Sequence, residues 1–260
     1  MKTNVIYNED CLVTMNKDEL KQSVDIVLTS PPYNTSRPSS KSDPYSFRYD
    51  TYNDGLSDGE YILFIEKVFN GYDKILKPNG VVLFNISYSS ENTWLIWNVI
   101  SHIQHATNFI VTDCISWKKK NAIPNNVSPN KLTRICEFVF VFCRKSEFET
   151  FNANKEIHSI SKKGQYIYNN YFNFIEAANN DGSCELNKAT FSIELVRKLL
   201  RLYAKKGAIV YDSFMGTGTT AIGALEEQMF YIGSELSTEQ CKYAEERIIN
   251  STMQLKLFDL

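Results

Sequence analysis

The chain has 260 residues, of which 43% are hydrophobic and 13% aromatic, so it can bury the core of one large α/β domain. Its formal net charge of −2 excludes a polycation and confines any nucleic-acid contact to a local basic face. The first ten residues are too polar for a signal peptide, and no apolar run approaches the length of a membrane span. We therefore expect a cytoplasmic protein with no membrane partner.

Short apolar runs alternate with helical patterns along the chain, which is typical of a mostly parallel sheet with helices on both faces. The predicted strands, in chain order, are Asn4–Tyr7, Asp25–Thr29, Gly80–Ile86, Phe109–Trp117, Glu137–Cys143, Ala208–Asp212 and Phe230–Glu235. The pattern thus predicts a seven-stranded sheet in one compact domain.

Three helices have clear signals in the sequence. Ser57 and Glu60 have the spacing of a capping box, and the apolar residues that follow fall on one helical face. The second predicted helix is Ile193–Tyr203, with an apolar stripe. The third begins after Ser237, in another capping-box arrangement, and extends to about Asn250.

Two stretches have no clear helix or strand pattern. Residues 34–55 are polar, and a loop of that length is usually functional or disordered. Residues 145–187 have weak periodicity and several aromatic residues, which favours an inserted recognition subdomain over an ordinary connection. The expected organisation is residues 1–144, then this insertion at 145–187, then residues 188–260.

Six cysteines are scattered without a Cys-x-x-Cys pair: Cys11, Cys114, Cys136, Cys143, Cys184 and Cys241. None of the three histidines has metal-ligand spacing with a cysteine. We expect reduced thiols and no metal site.

Two adjacent prolines follow the second predicted strand, in the sequence Ser30, Pro31, Pro32 and Tyr33. Neither proline has an N–H group and both have a fixed φ, so the backbone leaves the sheet as a stiff loop whose carbonyls have no intramolecular donors. Such a loop can hold a flat ring that carries an amino group. The carbonyls and the Ser30 hydroxyl accept the amino hydrogens, and Tyr33 stacks on the ring. The alternative is a turn that merely contains two prolines.

A glycine-rich turn follows the strand that ends at Asp212. Gly216 and Gly218 permit a tight turn and a close approach of a ligand to the backbone. The next strand ends at Glu235, whose carboxylate can accept hydrogen bonds from ribose hydroxyls. These features suit a nicotinamide dinucleotide and S-adenosyl-L-methionine equally well, and the remaining alternative is a turn without a ligand.

Together, the two motifs favour methyl transfer, since a proline-lined amino pocket has no use in hydride transfer. The chain resembles the S-adenosyl-L-methionine-dependent DNA amino-methyltransferases over nearly its whole length. The proline motif precedes the glycine motif, as in their permuted beta class, whereas protein-glutamine and most RNA relatives have the opposite order. The resemblance implies a circularly permuted Rossmann-like fold with a seven-stranded, mostly parallel sheet and a small recognition insertion.

Further segments resemble the family. Trp117-Lys118, Arg134 and Glu137 match its Trp-Lys…Arg…Glu block, while Asn187-Lys188 replaces the His-Pro that family members usually carry. The resemblance implies cofactor contacts at Asp10, Cys11, Thr190, Phe191, Asp212, Phe214, Gly216, Gly218, Thr219, Thr220 and Glu235.

The implied reaction is in-line attack of an exocyclic amino nitrogen on the sulfonium methyl group. The Ser30 hydroxyl and the Pro31 carbonyl accept the amino hydrogens, and Tyr33 stacks on a base flipped out of the duplex. The absence of a Pro-Cys dipeptide argues against carbon-5 methylation. Within the family a serine before the prolines usually accompanies cytosine N4, so we expect cytosine N4, with adenine N6 as the alternative.

The expected partner is double-stranded DNA, in a bacterial or phage-encoded system. The candidate DNA-binding residues are Arg37, Lys41, Arg48, Lys118, Lys119, Lys120 and Arg134. The resemblance also implies a homodimer and a cognate restriction endonuclease as partners. The alternatives are methylation of an RNA base, a catalytically silent nucleic-acid-binding module and, for the lysine run alone, a solvated surface.

Overall fold

The computed structural model describes residues 1–34, 55–89, 92–122, 124, 129–179 and 190–258, with no side chains described beyond residue 253. Its strands are β1 Val5–Tyr7, β2 Val24–Thr29, β3 Leu76–Ile86, β4 Phe109–Lys119, β5 Cys136–Arg144, β6 Ile157–Ile160, β7 Tyr166–Tyr168, β8 Phe174–Ala177, β9 Ile209–Asp212 and β10 Phe230–Ser234. Its α-helices are α1 Cys11–Thr14, α2 Asp58–Ile75, α3 Leu95–Ala106, α4 Ile193–Tyr203, α5 Thr219–Glu226 and α6 Thr238–Phe258.

Eight strands form one sheet in the order β1-β10-β9-β2-β3-β5-β4-β8. The first five strands in this order pair in parallel, β5 pairs antiparallel with β3 and β4, and β8 pairs in parallel with β4. Strands β6 and β7 form a separate two-stranded sheet. The mostly parallel architecture predicted from the sequence is confirmed.

Helices cover both faces of the sheet. Alternate residues of β2 point to opposite faces, so Leu28 packs in a core with α4, α5 and α6, whereas Val27 packs in a second core with α2 and α3. Because both faces are covered, the central strands carry continuous apolar runs, as in residues 26–28 of β2 and 81–84 of β3.

The sheet has one strand more than the seven predicted. Strand β8 lies at its edge, where Ile175 pairs with Trp117 of β4. Only Ile175 and Ala177 of β8 are buried, so the strand carries a weak apolar signal within a segment of exposed aromatic residues. Helix α3 was also not predicted, since its N-cap residue Trp94 makes no side-chain capping bond.

The predicted helix starts are confirmed by their hydrogen bonds. Ser57 and Glu60 form a complete capping box at the start of α2. Ser192 Oγ accepts a bond from the Leu195 N–H and begins α4. Helix α6 begins at Thr238 as predicted but continues to Phe258, beyond the predicted end.

The site edge of the sheet lies where the chain connections diverge. Strands β2 and β9 are parallel neighbours, with Val27 opposite Tyr211. From β2 the chain passes through α2 to β3 on one side, and from β9 it passes through α5 to β10 on the other. The loops after β2 and β9 therefore open a crevice at a topological switch point, which is where open α/β sheets bind ligands.

The described residues contain neither a membrane-spanning helix nor a cluster of metal-binding side chains. None of the helices there is long and apolar enough to cross a membrane. Within the same residues, no three His, Cys, Asp or Glu side chains are grouped to hold a metal ion. The five described cysteines are free thiols, and Cys184 lies outside the described residues.

Gly223 tests the packing of α5 against α4. A methyl group at this position would lie 2.4 Å from Cγ1 and 2.9 Å from Cβ of Val196. We expect Gly223→Ala to lower the free energy of unfolding by about 1–3 kcal/mol, because the overpacking outweighs the higher helix propensity of alanine. Gly59→Ala in α2 is the control, since no atom lies within 4 Å of its added methyl group. Denaturant unfolding should show the control to be neutral or more stable, and equal effects would contradict this packing argument.

Candidate functional site

A buried carboxyl group joins the two loops at the edge of the sheet. Asp212, at the end of β9, accepts hydrogen bonds from Thr29 Oγ1 at the end of β2 (2.6 Å) and from Thr220 Oγ1 of α5 (2.6 Å). The Phe214 N–H adds a third bond at 3.0 Å. Burial raises the pKa of Asp212 above its usual value, although these three bonds act in the opposite direction. Asp212 thus ties the proline loop to the glycine turn, and its predicted contact with a cofactor stays a prediction.

The glycine turn has the backbone that its sequence predicts. Gly216 and Gly218 have φ angles of 53° and 84°, a region that glycine adopts without a steric penalty. Gly218 is also the N-cap of α5. Arg247 of α6 supports the turn by donating to the carbonyl oxygen (2.7 Å) and the hydroxyl (3.0 Å) of Thr217. Arg247 was not predicted, because a single arginine on a helix carries no distinguishing pattern.

Glu235 lies beside this turn, at the carboxyl end of β10. Its carboxylate accepts hydrogen bonds from the N–H groups of Gly216 (2.8 Å) and Ser237 (2.9 Å). Asn8, after β1, donates to the backbone carbonyls of Glu235 (2.9 Å) and Leu236 (3.0 Å) and was also not predicted. These bonds fix an acidic side chain at the rim of the glycine turn.

The segment after β1 lies next to Glu235, because β1 and β10 are parallel neighbours with Tyr7 opposite Ser234. The Asp10 carboxylate accepts the Leu12 N–H at 2.7 Å and caps α1. Cys11 is buried, and desolvation raises the pKa of its thiol far above the ordinary value. Asp10 and Cys11, which are predicted to contact the cofactor, thus lie close to Glu235, and their contact with a cofactor stays a prediction.

The predicted segment before α4 is described from Thr190 onwards. Phe191 is buried and packs in the core of the α4, α5 and α6 face. Thr190 is half-buried. The contacts of Thr190 and Phe191 with a cofactor stay predictions, and so do the cofactor contacts of Phe214 and Thr219.

The proline motif follows β2 directly. Pro31 and Pro32 are buried, whereas Ser30 and Tyr33 are half-buried. The Pro32 carbonyl accepts a hydrogen bond from Tyr61 Oη of α2 at 2.6 Å, so the expectation that the loop carbonyls have no intramolecular donors is wrong for Pro32. Among the described residues, none donates to the Pro31 carbonyl. The two prolines therefore differ, and only Pro31 presents an acceptor of the predicted kind.

The Tyr33 hydroxyl connects three side chains. It accepts from Ser30 Oγ at 3.2 Å, and its acceptors are Glu137 Oε2 of β5 (2.9 Å) and Asn85 Oδ1 of β3 (3.2 Å). Lys119 of β4 forms an ion pair with the other oxygen of Glu137. Asn85 was not predicted, because an asparagine at the end of an apolar strand has no distinguishing neighbours in the sequence.

Each predicted basic residue that the structure describes has a protein partner. Lys118 pairs with Glu176 (3.2 Å), Lys119 with Glu137, and Lys120 with Glu194 (2.8 Å). The Arg134 guanidinium donates to the Tyr88 carbonyl and lies 5.2 Å from the centre of the Tyr88 ring. Contact of these residues with DNA stays a prediction.

The predicted loop 34–55 lies mostly outside the described residues, including Arg37, Lys41 and Arg48. Its base is described. The Asn34 amide donates to the Leu56 carbonyl (2.8 Å) and accepts from the Leu56 N–H (2.9 Å). This pair of bonds holds the two ends of the loop together, directly after Tyr33.

Glu194 of α4 pairs with Lys120, directly after β4, and gives the stability of the fold a pH dependence. Hydrogen bonds from Lys120 and then Lys198 lower its pKa from 4.5 to about 2. A lowered carboxyl pKa stabilises the folded state above the unfolded-state pKa, and this stabilisation is lost as the pH falls towards the folded-state value.

We therefore expect Glu194→Gln to reduce the free energy of unfolding at pH 7 by less than about 1 kcal/mol, because the side chain is partly exposed. The difference from the unsubstituted protein should shrink as the pH falls from 4.5 towards 2, as measured by urea unfolding at several pH values. Glu149→Gln is the control, at an exposed residue without an ion partner in the described part of the chain. A difference that stays constant with pH would contradict the assignment.

Comparison with known proteins places these motifs in a family. A family model described as DNA methylase (N6/N4 methyltransferases) matches residues 24–246. The chain is 28% identical to the type II methyltransferase M.MthZI of Methanothermobacter thermautotrophicus, over 92% of this chain and 75% of that protein. It is 25% identical to the orphan methyltransferase M.BamHII of Bacillus amyloliquefaciens, over 88% of this chain and 89% of that protein.

Solved structures share the fold. The cytosine-N4-specific PvuII DNA methyltransferase matches 96% of this chain and 92% of its own, with a TM-score of 0.70 and 17% identity. The complex of M1.HpyAVI with S-adenosyl-L-methionine matches 94% of this chain and 98% of its own, with a TM-score of 0.62 and 20% identity. The match of the family model across both motifs identifies the chain as a member of the N6/N4 DNA methylase family.

Proposed function

We propose that this DNA methyltransferase is sequence-specific and transfers a methyl group from S-adenosyl-L-methionine to the N4 amino group of a flipped cytosine. The observation that carries the proposal is the hydrogen bond between Thr29 and Asp212, which holds the amino-binding loop beside the glycine turn. One crevice can then receive both the amino group and the methyl donor.

The residues around the glycine turn fit S-adenosyl-L-methionine. The Glu235 carboxylate, fixed by backbone N–H groups at the rim of the turn, is the acceptor that two ribose hydroxyls need. Asp10 and Cys11 would border the adenine, because they follow β1 next to Glu235. Gly216, Gly218 and the segment from Thr190 would border the methionine part.

When bound, S-adenosyl-L-methionine would supply the methyl group: the amino lone pair forms the N–C bond while the C–S bond breaks onto sulfur, and the nitrogen then releases one proton to water. Ser30 Oγ and the Pro31 carbonyl each accept one amino hydrogen, which favours a pyramidal nitrogen with an available lone pair. The buried prolines fix both acceptors without further loss of backbone freedom.

Tyr33, Tyr61 and Tyr88 line a shallow depression at the end of β3, next to the proline loop. Aromatic walls favour a flat ring, and Tyr33 would stack on the flipped base. For the base itself, Ser30 before the prolines supports cytosine through the family resemblance, and the PvuII enzyme, which has the same fold, is named cytosine-N4-specific. Adenine N6 is the second candidate, because the family includes both activities.

Target recognition is assigned to residues 145–187. Strands β6 and β7 are exposed along their whole length, including the side chains of Ile160, Tyr166 and Tyr168. Aromatic side chains outside the core of the domain are suited to contact bases, and the lysines at the tip, Lys162 and Lys163, are suited to contact phosphates.

DNA contact is further assigned to Lys118, Lys119, Lys120, Arg134 and the basic residues of loop 34–55. The type II name of M.MthZI supports a restriction–modification system with a cognate endonuclease, whereas M.BamHII is named an orphan methyltransferase. The proposal includes a cytoplasmic location and a bacterial or phage-encoded origin. Homodimer formation belongs to the same proposal.

Nucleoside analysis of labelled DNA tests the choice of base. DNA incubated with the protein and tritiated S-adenosyl-L-methionine should yield label in N4-methylcytosine. Label in N6-methyladenine would show that the target base is adenine and not cytosine. Label in RNA alone would overturn the choice of DNA as the substrate. Absence of label from any nucleic acid would favour the catalytically silent binding module.

Ser30→Ala and Tyr33→Ala test the amino pocket. Each should lower methyl transfer by about 10²–10³-fold, because one acceptor or the stacking ring is lost, while cofactor affinity is retained. Ser101→Ala on the exposed side of α3 is the matched control. Single-turnover kinetics and calorimetric cofactor binding provide the measurements, and full activity of both pocket variants would contradict the assignment.

Glu235→Ala tests the cofactor site independently of the reaction. Two charge-assisted hydrogen bonds to ribose are lost, so the affinity for S-adenosyl-L-methionine should fall by about 10²-fold or more. Isothermal titration calorimetry measures this directly. The exposed residue Glu239, in the first turn of α6, supplies the control variant Glu239→Ala. Equal affinities of the two variants would exclude Glu235 as a ribose acceptor.

A further inference from the structure

We propose that Glu137 is a positioning residue, which acts through the Tyr33 hydroxyl to make Ser30 an acceptor for the amino group of the target base. The inference rests on the proposed function of Ser30. It gives the Tyr33 hydroxyl a role of its own, separate from stacking by the Tyr33 ring. It also gives a role to the carboxylate of Glu137 on β5, which belongs neither to the proline motif nor to the glycine turn.

The argument begins with the single hydrogen of the Tyr33 hydroxyl. Two oxygens that can only accept face it, Glu137 Oε2 at 2.9 Å and Asn85 Oδ1 at 3.2 Å. The Asn85 amide nitrogen donates to the Phe138 carbonyl at 3.1 Å, which turns the amide oxygen towards Tyr33. The tyrosine hydrogen therefore points away from Ser30. Of the two acceptors, the Glu137 carboxylate is nearer and charged, so it is the stronger.

Glu137 is itself held in place. Lys119 donates to its other oxygen, and both side chains are less than one-fifth exposed. The Lys119 ammonium group also lies 5.1 Å from the centre of the Trp117 ring, a buried side chain of the same strand. Strands β4 and β5 pair Trp117 with Glu137, so the ion pair is anchored in the sheet.

The consequence concerns the direction in which the Ser30 hydroxyl forms its hydrogen bonds. Because the tyrosine hydrogen is directed to Glu137 or Asn85, the tyrosine oxygen accepts from Ser30 Oγ at 3.2 Å. The only hydrogen of the serine hydroxyl is then used, and its remaining lone pairs are available to amino hydrogens. A serine that rotated and donated to the amino nitrogen would occupy the lone pair that must attack the methyl group. Glu137 thus favours the productive orientation.

A double-mutant cycle tests this chain of hydrogen bonds. Tyr33→Phe keeps the ring and the Glu137–Lys119 ion pair but removes the acceptor for Ser30, and Glu137→Gln removes the charged acceptor for Tyr33. Each should lower kcat about tenfold and leave the KM for DNA within about twofold. The double variant should be no slower than Tyr33→Phe, because both changes break the same chain. Glu66→Gln is the matched control, because Glu66 of α2 also pairs with a basic side chain, His102 of α3.

Binding supplies a readout that does not depend on turnover. Two duplexes are compared that differ only in the presence of the amino group on the target base. The unsubstituted protein should prefer the duplex with the amino group, and Tyr33→Phe and Glu137→Gln should lose most of that preference. Thermal melting of each variant identifies any loss of folding. If Glu137→Gln does not fold, Glu137→Asp, which keeps the charge but shortens the side chain that reaches the Tyr33 hydroxyl, replaces it in both measurements and should have the same effect.

The outcomes separate this inference from the proposed function. If the unsubstituted protein labels no DNA, the proposed function fails and this inference fails with it. If that protein is active but the two substitutions have multiplicative effects, or affect only KM, Glu137 has a structural role and the positioning role is overturned. Full activity and undiminished preference of Tyr33→Phe would overturn it as well.

Discussion

The site depends on one buried carboxyl group. Asp212 is at the end of β9, yet two of its hydrogen bonds reach hydroxyls elsewhere in the chain, on Thr29 of β2 and Thr220 of α5. Burial would make an isolated carboxylate costly, and the three donors around Asp212 offset that cost. The proline loop and the glycine turn are separated by about 180 residues of sequence. The side-chain bond from Thr29 to Asp212, together with the pairing of β2 and β9, holds the two loops side by side.

Most of the fold was predictable from the sequence because its signals are local. Ser57 and Glu60 make the capping bonds that their spacing indicates, and each of the seven predicted strands is present. The exceptions lack a local signal. Helix α3 has no side-chain cap, and the edge strand β8 buries only two residues. Its place in the sheet comes from pairing with β4, which no local pattern encodes.

The site was predictable in the same uneven way. Prolines and glycines are recognisable in a sequence because proline narrows, and glycine widens, the range of backbone conformations. For this reason Ser30–Tyr33, Gly216 and Gly218 could be predicted. Asn85 and Arg247 could not, since each bonds to a partner distant in sequence, and for Glu137 the family resemblance gave no indication of its bond to Tyr33. The ion pairs of Lys118, Lys119 and Lys120 were likewise invisible, because their acidic partners lie on three different elements. These pairs compensate much of the positive charge that the lysine run suggests.

The two hydrogen bonds between Asn34 and Leu56 close a ring of backbone immediately after Tyr33. Changes in the number of residues inside a closed ring alter its closure entropy only slowly, by about 0.6 kcal/mol for each doubling of length. Natural variants of this chain could therefore lengthen, shorten or exchange the segment between these two residues while the geometry at Ser30 stays the same. Asn34 thus marks the boundary between the proline motif, whose geometry is fixed, and the segment up to Leu56, whose length and sequence are free to vary.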